Sequence, residues 1–174
     1  MGRQKLLLAV RGAPIVRLSV EALRPHVEDL VVVTGRDDTG VREALAGIDT
    51  RFATNPRPQD GQGSSIAIGV AALMPWTSAA LGDQPRVPST VVPALLDAWR
   101  RTGKPIVAPV YHGTQGTPVL FSADVFAELR ALSGDSGAKS IVQARRERVE
   151  LVTIDAPMPA DVDTPEDYAR LHVE

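Results

Sequence analysis

A carboxylate stands directly after an apolar segment in the middle of the chain. Asp83 belongs to the sequence Leu-Gly-Asp-Gln-Pro at 81–85, which follows a predicted strand over 77–81. Gly82 permits a sharp turn, so Asp83 is presented at the carboxyl end of that strand, where its oxygens can hold Mg²⁺. The alternative is that Asp83 completes the turn by bonding to its own backbone.

A second group of carboxylates lies near the end of the sequence. Asp161 and Asp163 precede Thr164-Pro165-Glu166-Asp167, a pattern typical of a helix start in which Thr164 is the cap. The acidic residues inside that pattern are explained by the positive end of the helix dipole. Asp161 and Asp163 repel each other unless a cation lies beside them, so one of them could complete a metal site with Asp83.

A glycine-rich segment, Gly61-Gln62-Gly63-Ser64-Ser65, precedes a predicted helix in the first half. Its amides and hydroxyls could face an anion or a ribose, although a tight turn that packs closely on a sheet explains the glycines equally well. No Gly-Lys-Ser/Thr follows, so this is not a Walker loop. Ala67 stands where a hydrolase nucleophile elbow has its last glycine.

The composition excludes several classes of function. The chain has 174 residues, no cysteine and a formal net charge of −2. A zinc–thiolate site, a cysteine nucleophile and a disulfide scaffold are therefore excluded, and there is no basic excess for nucleic acid. The histidines, His26, His112 and His172, lack metal-ligand spacing. No apolar run approaches the roughly 18–20 residues that span a bilayer. We expect a cytoplasmic protein with neither nucleic acid nor membrane as partner.

Apolar periodicity predicts alternating strands and helices that position these groups. Strands are predicted over 31–33, 51–54, 77–81, 106–110, 119–121 and 149–154. Helices are predicted over 14–23, from 41 to before Gly47, over 66–73, over 89–101 with Ser89 as cap, over 124–132 and 139–146, and from Thr164 onward. In the helix over 14–23, Ile15, Leu18, Ala22 and Leu23 are expected to lie on one face.

This alternation indicates an α/β fold of the Rossmann-like, doubly wound type, with a mostly parallel sheet covered by helices on both faces. Ligands of such sheets bind beyond the carboxyl ends of the strands. The loops at 55–65, 81–88 and 155–164 are therefore the expected site.

Eight segments, taken in order, resemble the molybdenum-cofactor nucleotidyltransferase family, and most closely its cytidylyltransferase branch. They are MGRQKLLL (1–8), TNP (54–56), GQGSSIAIG (61–69), LGDQP (81–85), VAPVY (107–111), QGTPVLF (115–121), GDSGAKSIV (134–142) and DVDTPEDY (161–168). The resemblance implies one nucleotidyltransferase domain over 1–174, with the fold of nucleotide-diphospho-sugar transferases. It also implies that CMP passes from CTP to the phosphate of molybdopterin with release of pyrophosphate, giving a dinucleotide used by molybdenum hydroxylases.

The resemblance assigns roles to individual residues. Lys5 matches the lysine that contacts the triphosphate, and Lys5 and Asp83 are the expected catalytic residues. Mg²⁺ is expected at Asp83, Asp163 and Asp161. The nucleotide is expected to contact Gly2, Lys5, Asn55, Gly63, Ser64, Ser65 and Gly82. The acceptor is expected near Gly116, Thr117 and Pro118, where relatives often have His or Asn in place of Thr117.

Three other functions stay open on the sequence. They are a related transferase that uses GTP or a sugar phosphate, a non-catalytic domain that carries cofactor, and a serine hydrolase acting through Ser65. The family begins with a strand and a glycine-rich loop, roughly LAAGxSxRMG, of which Met1-Gly2 match the last two residues. The domain thus lacks that first strand and loop in the sequence as it stands, and we expect the real polypeptide to possess them.

Overall fold

The computed structural model describes residues 5–73, 77–79, 86–135, 137–162 and 164–170. The strands are β1 (Ala9–Val10), β2 (Ala13–Pro14), β3 (Val31–Thr34), β4 (Arg51–Thr54), β5 (Thr77–Ala79), β6 (Ile106–Tyr111), β7 (Thr114–Gln115), β8 (Val119–Phe121) and β9 (Val149–Ile154). The helices are α1 (Ile15–Leu23), α2 (Thr39–Ala44), α3 (Gln62–Ala72), α4 (Val91–Thr102), α5 (Phe126–Arg130), α6 (Lys139–Ala144) and α7 (Pro165–Arg170).

The two longest ladders are parallel. In one, β3 pairs with β4, and in the other β6 pairs with β9 along its whole length, from Ile106 opposite Val149 to Tyr111 opposite Ile154. Shorter antiparallel pairings add β5, β8 and β7 to the sheet of β6, and β1 pairs with β2 as a hairpin. The α/β class with a mostly parallel sheet is thus confirmed, and β7 and β8 run antiparallel to β6.

The core lies on both faces of the sheet that contains β6. Ile106 and Ala108 of β6 face a cluster formed with α3, α5 and α6. Val107 and Tyr111 face the opposite cluster, which α4 covers. Because side chains alternate across a strand, a central strand buried on both sides is apolar throughout, as β6 is. Helices therefore cover both faces, as predicted.

Several element boundaries differ from the predicted ones. α4 begins at Val91 rather than Ser89, because the Val91 N–H donates to the carbonyl of Pro88 and closes a turn before the helix. The predicted helix over 124–132 divides into a 3₁₀ turn, Ala123–Val125, and the short α5, and Ser122 caps this turn by accepting the Asp124 N–H.

The buried face of α1 is also shifted from the predicted one. Its buried residues are Ile15, Val16, Ser19 and Val20. Ala22 and Leu23, expected on the same face as Ile15, are only partly buried because α1 packs on two neighbours. Ile15 faces the hairpin of β1 and β2, while Val16 and Val20 face α2 and the strands behind it. Among the described residues, no helix has the length and apolar character to cross a membrane.

Candidate functional site

Asn55, the first residue after β4, joins the carboxyl end of that strand to the start of α3. Its side chain is buried. Its Nδ2 donates to Ser64 Oγ at 2.8 Å and to Ser65 Oγ at 3.0 Å, while Oδ1 accepts the Arg57 N–H at 2.9 Å. Both amide hydrogens of Asn55 are therefore used within the chain. The residue holds the two serines in place, and its predicted contact with the nucleotide stays a prediction.

The two serines differ in what their hydroxyls can still donate. Ser64 Oγ donates to the carbonyl of Gly61 at 2.8 Å, so its hydrogen is used at the helix start. Ser65 Oγ accepts from Asn55, and within the described parts of the chain its hydrogen has no acceptor. A hydroxyl that is oriented by Asn55 and keeps a free donor suits contact with a ligand.

The glycines at the start of α3 lie against the loop around Gly134, which comes much later in the sequence. The Gly63 N–H donates to the carbonyl of Gly134 at 2.9 Å, and the Gly134 N–H donates to the carbonyl of Asp60 at 3.0 Å. The Ser64 N–H donates to the carbonyl of Gly61 at 3.2 Å. The amides of Gly63 and Ser64 are thus already occupied, so ligand contact here falls to side chains such as that of Ser65.

A cavity of about 260 Å³ opens between the segment after β4, α3 and the end of α5. Asn55 and Ser64 line one side, and Leu132 and Ser133 line the other. At its rim the Arg57 guanidinium lies 3.2 Å from the Asp60 carboxylate, and both side chains are well exposed. The cavity lies where the loop at 55–65 was expected to bind a ligand.

The segment that carries Asp161 docks on the hairpin that follows Lys5. Val162 is fully buried with Val10 and Ile15, and Leu6, Leu8 and Tyr168 pack against this cluster. The Tyr168 hydroxyl donates to the carbonyl of Ala9 at 2.6 Å. Two segments from opposite ends of the sequence are therefore fixed against each other.

The start of α7 is held by a reciprocal pair of hydrogen bonds. Thr164 Oγ1 accepts the Asp167 N–H at 3.1 Å, and Asp167 Oδ2 accepts the Thr164 N–H at 2.9 Å. This arrangement is a capping box with an aspartate in place of the usual glutamate. The prediction that Thr164 caps this helix is confirmed.

The structure describes only some of the residues that were predicted to bind the metal ion and the triphosphate. Lys5 begins a 3₁₀ turn, Lys5–Leu7, and is partly exposed, while Asp161 is exposed beside the buried Val162. Gly2, Gly82, Asp83 and Asp163 lie outside the described residues. Within the described ranges, no three His, Asp or Glu side chains are grouped as metal ligands.

The predicted acceptor segment is fastened by a tyrosine that the sequence analysis did not assign to the site. The Tyr111 hydroxyl donates to the carbonyl of Thr117 at 2.8 Å, and the Thr117–Pro118 peptide bond is cis. A Cβ on Gly116 would come within 2.9 Å of the Tyr111 ring, so only glycine allows this approach. Burial raises the pKa of Tyr111 to about 12, so the donor keeps its proton at neutral pH. The sequence feature that could have indicated this contact is Tyr111 itself, the aromatic residue at the end of VAPVY (107–111). That segment served only to show the family resemblance.

A family model described as the MobA-like NTP transferase domain matches residues 1–149. The chain belongs to this family. The resemblance drawn from the eight segments is thereby confirmed, and the chain is a nucleotidyltransferase.

Individual relatives match nearly all of the chain. The purine catabolism protein PucB of Bacillus subtilis is 25% identical over 182 residues, which cover 97% of this chain and 87% of PucB. The crystal structure of Rv0371c from Mycobacterium tuberculosis is 29% identical, with a TM-score of 0.87 over 100% of this chain and 91% of that one. A structure of Rv0371c in complex with manganese is 30% identical, with a TM-score of 0.83 over 99% and 94% of the two chains.

Proposed function

We propose that this nucleotidyltransferase is a magnesium-dependent cytidylyltransferase of the cytoplasm, which transfers CMP from CTP to the phosphate of molybdopterin. The docking of the segment around Val162 on the hairpin after Lys5 is the observation that carries the proposal. Lys5 matches the triphosphate lysine of the family. Asp161 stands beside Asp163, which resembles the second metal-side carboxylate of the family. Both segments pack on one apolar cluster, which supports a site where the lysine and the metal act on the same triphosphate.

The candidate ligands suit a hard divalent cation. Asp83, Asp163 and Asp161 offer carboxylate oxygens, and the chain has no cysteine that would favour a softer metal. These three residues would hold Mg²⁺, which would supply positive charge next to the phosphates. Two phosphate groups in contact repel by ~4 kcal/mol per close pair of charges at an effective dielectric constant near 20, so this charge is needed.

The chain's own side chains orient the two substrates. An oxygen of the acceptor phosphate forms a bond to the α-phosphorus of CTP in line with the bond that breaks, and pyrophosphate leaves. The Lys5 ammonium group neutralises negative charge on the departing phosphates, and no protein nucleophile is needed. Ser65, oriented by Asn55, donates to the nucleoside part, while Tyr111 holds the segment Gly116–Pro118 at the acceptor.

A serine hydrolase receives no support from the arrangement around Ser65. The residue lies in the first turn of α3, and Asn55 donates to its Oγ. His26 and His112, the two histidines in the described ranges, make no hydrogen bond to it. A nucleophilic serine needs a base that accepts its proton, and no such base bonds to Ser65 among these residues.

The proposal is tested by product formation with purified protein. The chain is incubated with Mg²⁺, molybdopterin and either CTP or GTP, and released pyrophosphate and the dinucleotide are measured. We expect release with CTP, and we expect CTP to raise the Tm because it binds the native state. If pyrophosphate is released with GTP and not with CTP, the nucleotide substrate in the proposal becomes GTP. If the nucleotide binds and no pyrophosphate is released, the chain is a cofactor carrier that serves a molybdenum hydroxylase.

Two variants and a matched control identify the site in the same assay. Lys5→Ala and Asp83→Ala should lower the rate by at least 100-fold, since each removes a group that acts on the triphosphate or its metal. Lys139→Ala removes an equivalent charge from an exposed position at the start of α6 and should keep the wild-type rate. Wild-type rates in both site variants would remove these residues from the mechanism.

A further inference from the structure

The segment GDSGAKSIV at 134–142 belongs to the resemblance, yet neither the sequence nor the proposed function gives it a role. Its first two residues, Gly134 and Asp135, form a short loop with the preceding Ser133, and we call Ser133–Asp135 the clasp loop. In the structure this loop lies directly against the start of α3. It is therefore in a position to act on the nucleotide side of the site through the first turn of α3.

Two backbone hydrogen bonds connect the clasp loop to the helix start in opposite directions. The carbonyl of Gly134 accepts from the Gly63 N–H at 2.9 Å, and the Gly134 N–H donates to the carbonyl of Asp60 at 3.0 Å. Within the described parts of the chain, no side chain caps the first residues of α3. Because the first N–H groups of a helix have no partner inside it, Gly134 supplies the acceptor that a capping side chain would otherwise provide.

The helix start has glycines where the clasp loop leaves no room for a side chain. A Cβ on Gly61 would come within 2.5 Å of the Gly134 carbonyl oxygen and of Asp135 Oδ1. A Cβ on Gly63 would lie 3.0 Å from the Gly134 oxygen and from backbone atoms of Ser133. Both glycines thus serve the close approach of the loop, and they do not leave amides open for an anion.

The same helix start carries the serines of the candidate site. Ser64 and Ser65 follow Gly63 directly, and Asn55 holds their hydroxyls from the side of β4. The clasp loop holds the backbone of the same turn from the other side, and Ser133 and Ser64 line the cavity between them. The position of the Ser65 hydroxyl therefore depends on both contacts.

We infer that the clasp loop is a positioning element for the nucleoside triphosphate: it fixes the first turn of α3 and so sets where Ser65 meets the nucleotide. The inference rests on the proposed function for the presence of that substrate. It predicts that a small displacement of the loop weakens nucleotide binding and leaves the rate of the chemical step unchanged.

Two matched pairs of variants test the inference. Gly63→Ala pushes a Cβ against the backbone of the clasp loop, and Gly69→Ala is its control. Gly69 lies in the same helix, with a Cβ position 3.1 Å from a methyl of Val33 and away from the loop. Gly134→Ala introduces a residue at φ +72° with no described atom within 4 Å of its Cβ, and Gly47→Ala does the same at φ +83° in the segment between α2 and β4. Each control variant adds the same methyl group in a similar backbone setting, at a position that does not belong to the contact between the clasp loop and α3.

The measurements are KM and kcat for CTP, and the shift in Tm that CTP causes with Mg²⁺. We expect Gly63→Ala and Gly134→Ala to raise KM for CTP about 5- to 20-fold, to reduce the Tm shift, and to leave kcat within about twofold. The two controls should stay within about twofold of wild type in both constants. If one variant fails to fold, the other pair decides the question.

Two outcomes separate the inference from the proposed function. If the wild-type chain binds CTP and both clasp variants bind it equally well, the inference is overturned and the proposed function stands. A fall in kcat with unchanged KM would also overturn the inference, because the loop would then act on the chemical step. If no nucleoside triphosphate raises the wild-type Tm, the proposed function fails, and with it a role of the loop toward that substrate.

Discussion

The Tyr168 hydroxyl donates a hydrogen bond of 2.6 Å to the carbonyl of Ala9, 159 residues away in the sequence. This bond fastens the start of α7 to the hairpin of β1 and β2. Between them lies the fully buried Val162, which fixes the neighbouring Asp161 beside the segment that begins at Lys5. The triphosphate side of the proposed site thus depends on contacts between the two ends of the described chain.

Removal of the Tyr168 hydroxyl should weaken the docking of the segment around Asp161 on the hairpin of β1 and β2. Tyr168→Phe keeps the ring on Val162 and removes one hydrogen bond, so we expect a loss of about 1 kcal/mol in the free energy of unfolding. The concentration of Mg²⁺ needed for half-maximal rate should rise several-fold, because the segment of Asp161 is held less firmly. Urea unfolding and a Mg²⁺ titration of the rate measure the two effects. An unchanged Mg²⁺ requirement would separate this contact from the metal site.

The acceptor side should respond to the equivalent change at Tyr111. Tyr111→Phe removes the donor to the Thr117 carbonyl and keeps the ring against Gly116. We expect a several-fold higher KM for molybdopterin with KM for CTP within about twofold, and a stability loss of about 1 kcal/mol. Steady-state kinetics with each substrate varied in turn give both constants. An effect on CTP alone would contradict the placing of residues 116–118 at the acceptor.

The raised pKa of Tyr111 also predicts the stability of the protein at alkaline pH. Burial raises this pKa to about 12 in the folded chain, against about 10 in the unfolded chain. Between pH 10 and 12 the unfolded chain loses this proton while the folded chain keeps it, so unfolding becomes more favourable as the pH rises. Wild type should therefore lose stability more steeply than Tyr111→Phe over this range, and below pH 10 this difference in slope should vanish. Urea unfolding at several pH values measures both slopes.

Much of the fold could be predicted because its signals are local. The apolar runs of β3, β6 and β9 and the cap at Thr164 need no knowledge of distant residues, and the structure confirms them. The order of motifs along the chain also led to the family, since each segment is read from neighbouring residues. Local patterns are therefore a sufficient guide to the fold class.

The tertiary contacts of the site could not be predicted in this way. Nothing near Gly63 shows that its amide is bonded to Gly134, and nothing near Tyr111 shows that its hydroxyl reaches Thr117 across a hairpin. The buried face of α1 was missed for the same reason, because it depends on the position of α2. Such contacts follow from how the elements pack.

Substitutions of the two serines at the start of α3 should affect different properties: Ser64 the free energy of unfolding, and Ser65 the binding of CTP. Ser64→Ala removes a hydroxyl that donates to the Gly61 carbonyl and accepts from Asn55, so it should lower the free energy of unfolding by about 1–2 kcal/mol. Ser65→Ala removes the hydroxyl whose hydrogen is free within the described chain, so it should raise KM for CTP about 10-fold with a smaller loss of stability. Urea unfolding and KM for CTP, measured for both variants, test this contrast. A Ser65→Ala enzyme with wild-type KM would remove this serine from the nucleotide site.

Asp161 is the candidate metal ligand that lies within the described residues, and its negative charge can be removed by substitution. Asp161→Asn keeps the shape of the side chain and removes its charge, and a neutral amide oxygen is a weaker ligand for Mg²⁺ than a carboxylate. The half-saturating Mg²⁺ concentration should rise about 10-fold, with little change in stability because the side chain is exposed. Asp97→Asn is the matched control, since Asp97 is a well exposed carboxylate in α4, outside the expected site loops, with Arg100 at 3.0 Å. Equal Mg²⁺ requirements in the two variants would show that Asp161 acts through the general field of the surface, and metal binding would then rest on Asp83 and Asp163 alone.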